Sequence, residues 1–279
     1  MRIYLAGGYG GNLSPFFRVL KEWSREGIDE AMRIYLADTG GIMSCYISEF
    51  LTDDIKPYYL ESFYYADAGL EKMIPMLGDF MLDSGAFTFM MNAHTECNWE
   101  EYIERYSDFI VRNKVDKFFE LDIDSVVGYD KVIKYRKRLE KLTGKQPIPV
   151  WHSPRGIDEY KRHCDEYPYV ALGGIVGKEW KQSAEKYMPW FIKEAHKRGA
   201  KIHALGYTKL NKLGQYHFDS VDSSTWTIGN RYGRVFKFDG RTIRTISKPD
   251  GYRLANARIV AVNNFMEWVK FQRYAEKHF

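Results

Sequence analysis

Residues 169–206 read YVALGGIVGKEWKQSAEKYMPWFIKEAHKRGAKIHALG. Tyr169–Gly173 and Ile202–Gly206 are short, continuous apolar runs, the composition of strands buried on both faces. The stretch between them predicts a helix from about Ala184 to Arg198, ended by Gly199. A strand, a crossover helix and a second strand make one parallel β/α unit.

The same kind of run recurs at Ile3–Ala6, Ile34–Ala37, Tyr58–Glu61, Phe80–Asp83, Phe118–Asp122, Pro149–His152 and Phe218–Asp222, nine in all. Repeated right-handed units leave an open doubly wound sheet or a closed barrel. Nine runs in 279 residues favour an α/β fold, a (β/α)8 TIM-like barrel with an extra N-terminal strand segment, built as a single domain over 1–279. MRIYLAGG at 1–8 is echoed by MRIYLADTGG at 32–41, which reads as two similar strand–turn segments and not a solenoid. Further helices are expected over Trp99–Asn113, with Asn98 as N-cap and Glu101 at the capping-box position, and over Tyr129–Leu142. The C-terminus, about Ala255–Lys277, reads as one long amphipathic helix.

Apolar residues make up 45% of the chain and charged residues 28%, which excludes disorder and collagen-like repeats. The N-terminus lacks the apolar core of a signal peptide. No window approaches the roughly 18 consecutive apolar residues of a membrane span. Three scattered cysteines (Cys45, Cys97, Cys164) offer neither a disulfide framework nor a Cys-x-x-Cys knuckle. The chain is therefore expected to be cytoplasmic. The histidines form no His-x-His or His-Glu-x-x-His, so no metal and no other cofactor is expected.

The polar residues gather where the runs end: Asp83-Ser84-Gly85, Asp122-Ile-Asp124, His152-Ser153, Gly173-Gly174, Gly206-Tyr207 and Asp222-Ser223-Ser224. Any one of these suits a turn or a helix cap. Six in succession point to the mouth of a barrel, where active sites are built. Two aspartates on different strands suit a double displacement at a glycosidic carbon, one as nucleophile and one handling protons.

These segments resemble the tRNA-guanine transglycosylase (queuine tRNA-ribosyltransferase) superfamily. Asp83-Ser-Gly-Ala-Phe87 is similar to the family's Asp-Ser-Gly-Gly-Phe. Ala171–Glu179 is similar to its Ile-Gly-Gly-Leu…Gly-Glu loop, His203–Gly206 to its Leu-Met-Gly-Val-Gly, and Phe218–Ser223 to its Asp-Met-Phe-Asp-Cys. The four occur in the family's order over about half the chain. The resemblance implies that Asp222 is the nucleophile at C1′ of a guanosine, and that Asp83 is the acid/base serving the departing and entering bases. It implies a base pocket of Ser84, Gly85, Asp122, the amides of Gly173 and Gly174, the wall Leu205–Gly206, and His152 near the place of a base-binding glutamine. The family's Cys-x-Cys-x-x-Cys zinc motif has no counterpart, since no cysteine follows Cys164. The chain looks most like the small zinc-free phage and bacterial relatives that insert 7-deazaguanines into DNA.

The net charge of +4 conceals an uneven distribution. Ile228–Arg258 holds eight basic residues against Asp239 and Asp250, a balance of +6. Arg231, Arg234, Lys237, Arg241 and Arg244, interleaved with Tyr232, Phe236, Phe238 and Tyr252, suit a strip that neutralises phosphates and stacks bases. A solvated hairpin with core aromatics is the alternative. Lys131–Lys145 reads as a solvated helix face. His203 reads as packed inside its strand, Glu120 as a buried partner, and Asp124 as an alternative to Asp122 on the same face. The expected partners are a guanosine of DNA, or else of tRNA, and a 7-deazaguanine base; no membrane is expected. A barrel hydrolase of N-glycosides or nucleosides would use the same carboxylates with water as acceptor.

Overall fold

The computed structural model describes residues 32–38, 51–52, 55–85, 88, 97–174, 182–207, 209–227, 234–247 and 257–279. The Ile3–Ala6 run lies outside them, as does the echo at 1–8. The other eight runs are strands: β1 Arg33–Asp38, β2 Tyr58–Ser62, β3 Asp79–Asp83, β4 Lys117–Phe118, β5 Val150–Trp151, β6 Tyr169–Leu172, β7 Lys201–Ala204 and β8 Ser220–Ser223. All pair in parallel in the order β4-β3-β2-β1-β8-β7-β6-β5. Between the two ends Phe119 bridges Ile148 in parallel. There Glu120 N donates to Ile148 O at 3.0 Å and Ile148 N to Phe118 O at 2.8 Å, which closes the ring. The fold is an α/β TIM-like barrel.

Strand parity sorts the apolar side chains into two cores. Ile34, Leu36, Leu82, Phe118, Trp151, Val170, Leu172, Ile202, Ala204 and Val221 face outward toward the helices. Tyr35, Ala37, Met81, Phe119, Val150 and Ala171 alternate with them and fill the barrel interior. This is why the runs are apolar throughout: each strand is covered on both faces.

The helices are α1 Ala68–Met73, α2 Trp99–Arg112, α3 Asp124–Val127, α4 Tyr129–Thr143, α5 Ile157–Glu166, α6 Met188–Lys197 and α7 Ala257–His278. In α2 the Asn98 side chain caps Glu101 N at 3.4 Å, while Tyr102, Ile103, Tyr106, Phe109 and Ile110 form the buried face. The stretch expected to be one helix from about Ala184 divides into a 3-10 segment, Gln182–Tyr187, and α6. Pro189 falls in the first turn of α6, where its missing N–H costs nothing.

Helix α7 differs from the expectation in kind. An amphipathic helix exposes one face, but α7 is buried on nearly all sides from Val260 to Ala275. The barrel covers one side, with Gln272 accepting from Tyr58 N at 3.0 Å and donating to Tyr58 O at 2.9 Å. An antiparallel hairpin, β9 Arg234–Phe238 and β10 Ile243–Ser247, covers another. Polar residues of α7 hold β9: Asn264 Oδ1 accepts from Phe236 N at 2.8 Å, and Glu267 Oε2 from Phe238 N at 2.7 Å. Among the described residues no helix is long and apolar enough to cross a membrane.

Candidate active site

Parity that buries Met81 and Ala171 inside the barrel also turns Asp83, His152, Gly173, Leu205 and Asp222 inward at the C-terminal strand ends. In a parallel barrel these ends form one rim.

Asp83 ends β3. Its Oδ2 accepts from Gly85 N at 3.0 Å. Burial, then the nearby negative charges of Asp122 and Asp222, push its carboxyl up to about 6, despite the lowering effect of the Gly85 amide. The three aspartates lie at the C-terminal ends of β3, β4 and β8, on one rim. The turn after Asp83 is held by α2, since Tyr102 OH donates to Ser84 O at 2.7 Å. Gly85 sits at φ +78°, and a Cβ there would come within 2.8 Å of the Tyr64 Cβ. Only glycine fits that conformation and that space. The buried Ser84 hydroxyl has no hydrogen-bond partner among the described residues.

Asp222, on β8, is buried. Its Oδ1 accepts from Gly206 N at 2.6 Å and faces His203 Nε2 at 3.2 Å. Gly206 thus supplies an amide that orients a carboxylate, in addition to its place in the wall with Leu205, which packs against the inner core. Asp219 lies at the opposite end of the strand, where His196 and Ile202 N bind it.

Asp122 belongs to a buried ionic network. Its Oδ2 lies 2.7 Å from His152 Nε2, and its Oδ1 accepts from Arg155 Nη2 at 3.1 Å. Arg155 also binds Glu120 Oε1 at 3.0 Å and Asp124 Oδ2 at 3.0 Å, and stacks over Tyr129. Glu120 in turn accepts from Arg136 Nε at 2.6 Å and Val150 N at 2.9 Å. Asp122 and Asp124 therefore share one cation, and Glu120 is the buried partner below them. Arg136, expected on a solvated helix face, points into this core instead. Arg155 escaped the sequence reading, although a signal for it exists. Glu120, Asp122 and Asp124 alternate along one chain segment, and three carboxylates on one face need a cation nearby.

Gly173 has a different part from the one expected. Its N–H donates to Trp151 O at 2.9 Å, so that amide serves the sheet. A Cβ at Gly173 would fall 2.6 Å from His152 Cε1 and Nε2, so what the glycine provides is room for the imidazole beside Asp122. Gly174 adopts φ +71°.

Among the described residues, the cations of the basic strip lie on the β9–β10 hairpin. Arg231, Tyr232 and Tyr252 lie outside the described residues. Arg234, Lys237, Arg241 and Arg244 are exposed on the hairpin, with Lys237 and Arg244 directly paired across it. Phe236 and Phe238, expected among the stacking aromatics, pack on α7 against Trp268 and Tyr274, with ring centroids 6.1 and 5.6 Å apart. The apolar face of a two-stranded hairpin needs such a cover, and α7 supplies it. Among the described residues no group of three His, Cys, Asp or Glu side chains is placed to hold a metal ion.

No family model matches the chain, and no curated protein does. Solved structures match its fold. A chain described as a fructose-1,6-biphosphate aldolase from Coccidioides immitis superimposes with a TM-score of 0.53 at 9% identity, over 95% of this chain and 94% of that one. The carboxyl transferase domain of Rhizobium etli pyruvate carboxylase gives 0.44 at 12% identity, over 99% of this chain and 54% of that one. At such identity the aldolase likeness concerns the fold alone, and it agrees with the closed ring of parallel strands.

Proposed function

We propose that the chain is a base-exchange transglycosylase of nucleic acid. It replaces guanine with a 7-deazaguanine through a covalent glycosyl ester on Asp222. One observation carries the reading: Asp83 and Asp222 end different strands yet meet at one mouth, and Asp83 is held near pH 6. A carboxyl there both gives and takes protons near neutrality.

A carboxylate oxygen of Asp222 bonds to C1′ as the C1′–N9 bond breaks, and guanine departs with a proton from Asp83. The entering base then loses its N9 proton to Asp83 and bonds to C1′, releasing Asp222. Protons and charge balance over the cycle, and no redox cofactor or nucleotide triphosphate is consumed. Asp122, held by Arg155, and His152 beside it are the groups for the base edge. A base inside a duplex must first leave the stack. DNA is favoured over tRNA by the sequence likeness to the zinc-free relatives, and the exposed cations of the hairpin suit either polyanion.

The test is mass spectrometry of nucleosides from DNA and from tRNA, incubated with the chain and an isotope-labelled 7-deazaguanine. Label is expected in DNA. Asp222→Asn is expected to lower incorporation by roughly 10⁴-fold with the circular-dichroism spectrum unchanged. Undiminished incorporation by that variant sinks the reading. Release of guanine without uptake of label assigns the site to a hydrolase instead, and label in tRNA alone reverses the choice of polymer.

A further inference from the structure

The interior of a (β/α)8 barrel is normally filled by layers of apolar side chains. His203 and Ser220 interrupt that pattern beneath Asp222, and both are fully buried. They belong to one chain of contacts. Tyr169 OH lies 2.5 Å from Ser220 Oγ, Ser220 Oγ lies 2.5 Å from His203 Nδ1, and His203 Nε2 lies 3.2 Å from Asp222 Oδ1. Tyr169 is the first residue of β6, so the chain climbs from the barrel floor to the mouth.

Each hydroxyl has one proton to donate, and an ionised carboxylate only accepts. Burial keeps the Tyr169 phenol protonated by raising it above its usual range. Its one hydrogen-bond partner among the described residues is Ser220. The phenol therefore donates to Ser220, and the Ser220 hydroxyl donates to Nδ1. The imidazole is left with its proton on Nε2, directed at Asp222. The reverse order would leave the phenol proton unpaired in the core, where an unsatisfied group is costly. It would also set a bare Nε2 lone pair against a carboxylate oxygen.

We propose that His203 is a positioning residue for Asp222, with its tautomer fixed from the barrel floor by Ser220 and Tyr169. The functional part of this rests on Asp222 being the nucleophile. Together with the Gly206 amide, His203 occupies Oδ1. Oδ2, which has no hydrogen-bond partner among the described residues, is then the attacking oxygen. Nucleophile geometry is thus set by side chains that never touch substrate.

The experiment is nitrogen-15 NMR of the histidine-labelled full chain at neutral pH, with His203→Gln identifying the resonance, alongside base-exchange kinetics. The expected result is a neutral His203 protonated on Nε2. In Ser220→Ala the tautomer should shift toward a mixture while kcat falls roughly tenfold at unchanged KM, the effect of losing one buried hydrogen bond. Ser220→Thr should restore both. An imidazolium or an Nδ1-protonated His203 in the wild-type chain overturns the proposal, as does a Ser220→Ala variant with unmoved tautomer and kcat. The tautomer is read without turnover. An Nε2-protonated His203 in a chain that exchanges no base therefore counts against the transglycosylase reading alone. Exchange with an Nδ1-protonated His203 counts against this arrangement alone.

Discussion

Two arginines meet aspartates in this molecule, in opposite surroundings. At the barrel mouth Arg155 has 3% of its side chain exposed and touches Glu120, Asp122 and Asp124. On the hairpin Arg244 has 73% exposed and pairs with Asp239 five residues away. In the interior, charge separation is expensive and a missing partner is felt at once. At the surface, water replaces a lost partner. Arg155 therefore holds Asp122 and Asp124 in one geometry, whereas the hairpin displays charge whose positions matter little to the fold. The proposed base exchange would use the first arrangement to fix Asp122 beside the base. A surface that only neutralises phosphates can use the second.

The sharpest way to break this contrast is to remove each arginine. Arg155→Met removes the cation that Glu120, Asp122 and Asp124 share and is expected to destabilise the chain by about 3–5 kcal/mol in denaturant titration. Arg244→Met, measured the same way, is expected to leave the unfolding midpoint where it was. Equal losses from both would show that burial does not separate the two regions as argued.

A smaller effect of opposite sign is expected at Asp83. Its folded-state carboxyl stands at about 6 against an ordinary 3.8, so the folded chain holds this proton more tightly than the unfolded chain. The group therefore favours folding below its ordinary value, and that contribution is lost as pH rises through about 6. Asp83→Asn removes the penalty and should stabilise the chain at pH 7 by about 2–3 kcal/mol, while base exchange falls. The gain should vanish in melts run near pH 4. A variant less stable than wild type at pH 7 would contradict the assigned environment.

The smallest effect belongs to the hairpin. Lys237→Ala should change stability by no more than about 0.5 kcal/mol, as exposed substitutions do. If the hairpin contacts the backbone of DNA, the same variant should lower the slope of log affinity against log salt by about 1. An unchanged slope assigns Lys237 to solvent.

Much of the barrel was legible in the chain because its signals are local. A strand covered on both faces must be apolar at every position, so the runs at Ile34, Tyr58 and Phe80 announce themselves. Asn98 and Gly199 mark helix ends through backbone groups a few residues away. Asp219 and Asp222, three residues apart, take different partners, one bound to His196 and the other to Gly206. The hairpin was less legible. Alternating cations and aromatics fit a binding strip and a covered sheet equally well, and only the position of α7 distinguishes them.

Sequence alone thus carried the repeated β/α units and the ends where the polar residues collect, because each depends on neighbours along the chain; the choice of Asp83 and Asp222 among those ends came from the family resemblance. The packed molecule added what depends on neighbours in space. It brought Arg155 to three carboxylates, committed the Gly173 amide to Trp151 O while leaving a gap there for His152, and set Tyr169, Ser220 and His203 in line beneath Asp222. Those contacts join different strands around a closed ring. No local pattern records which strands adjoin, or which side chain the dry interior obliges another to satisfy.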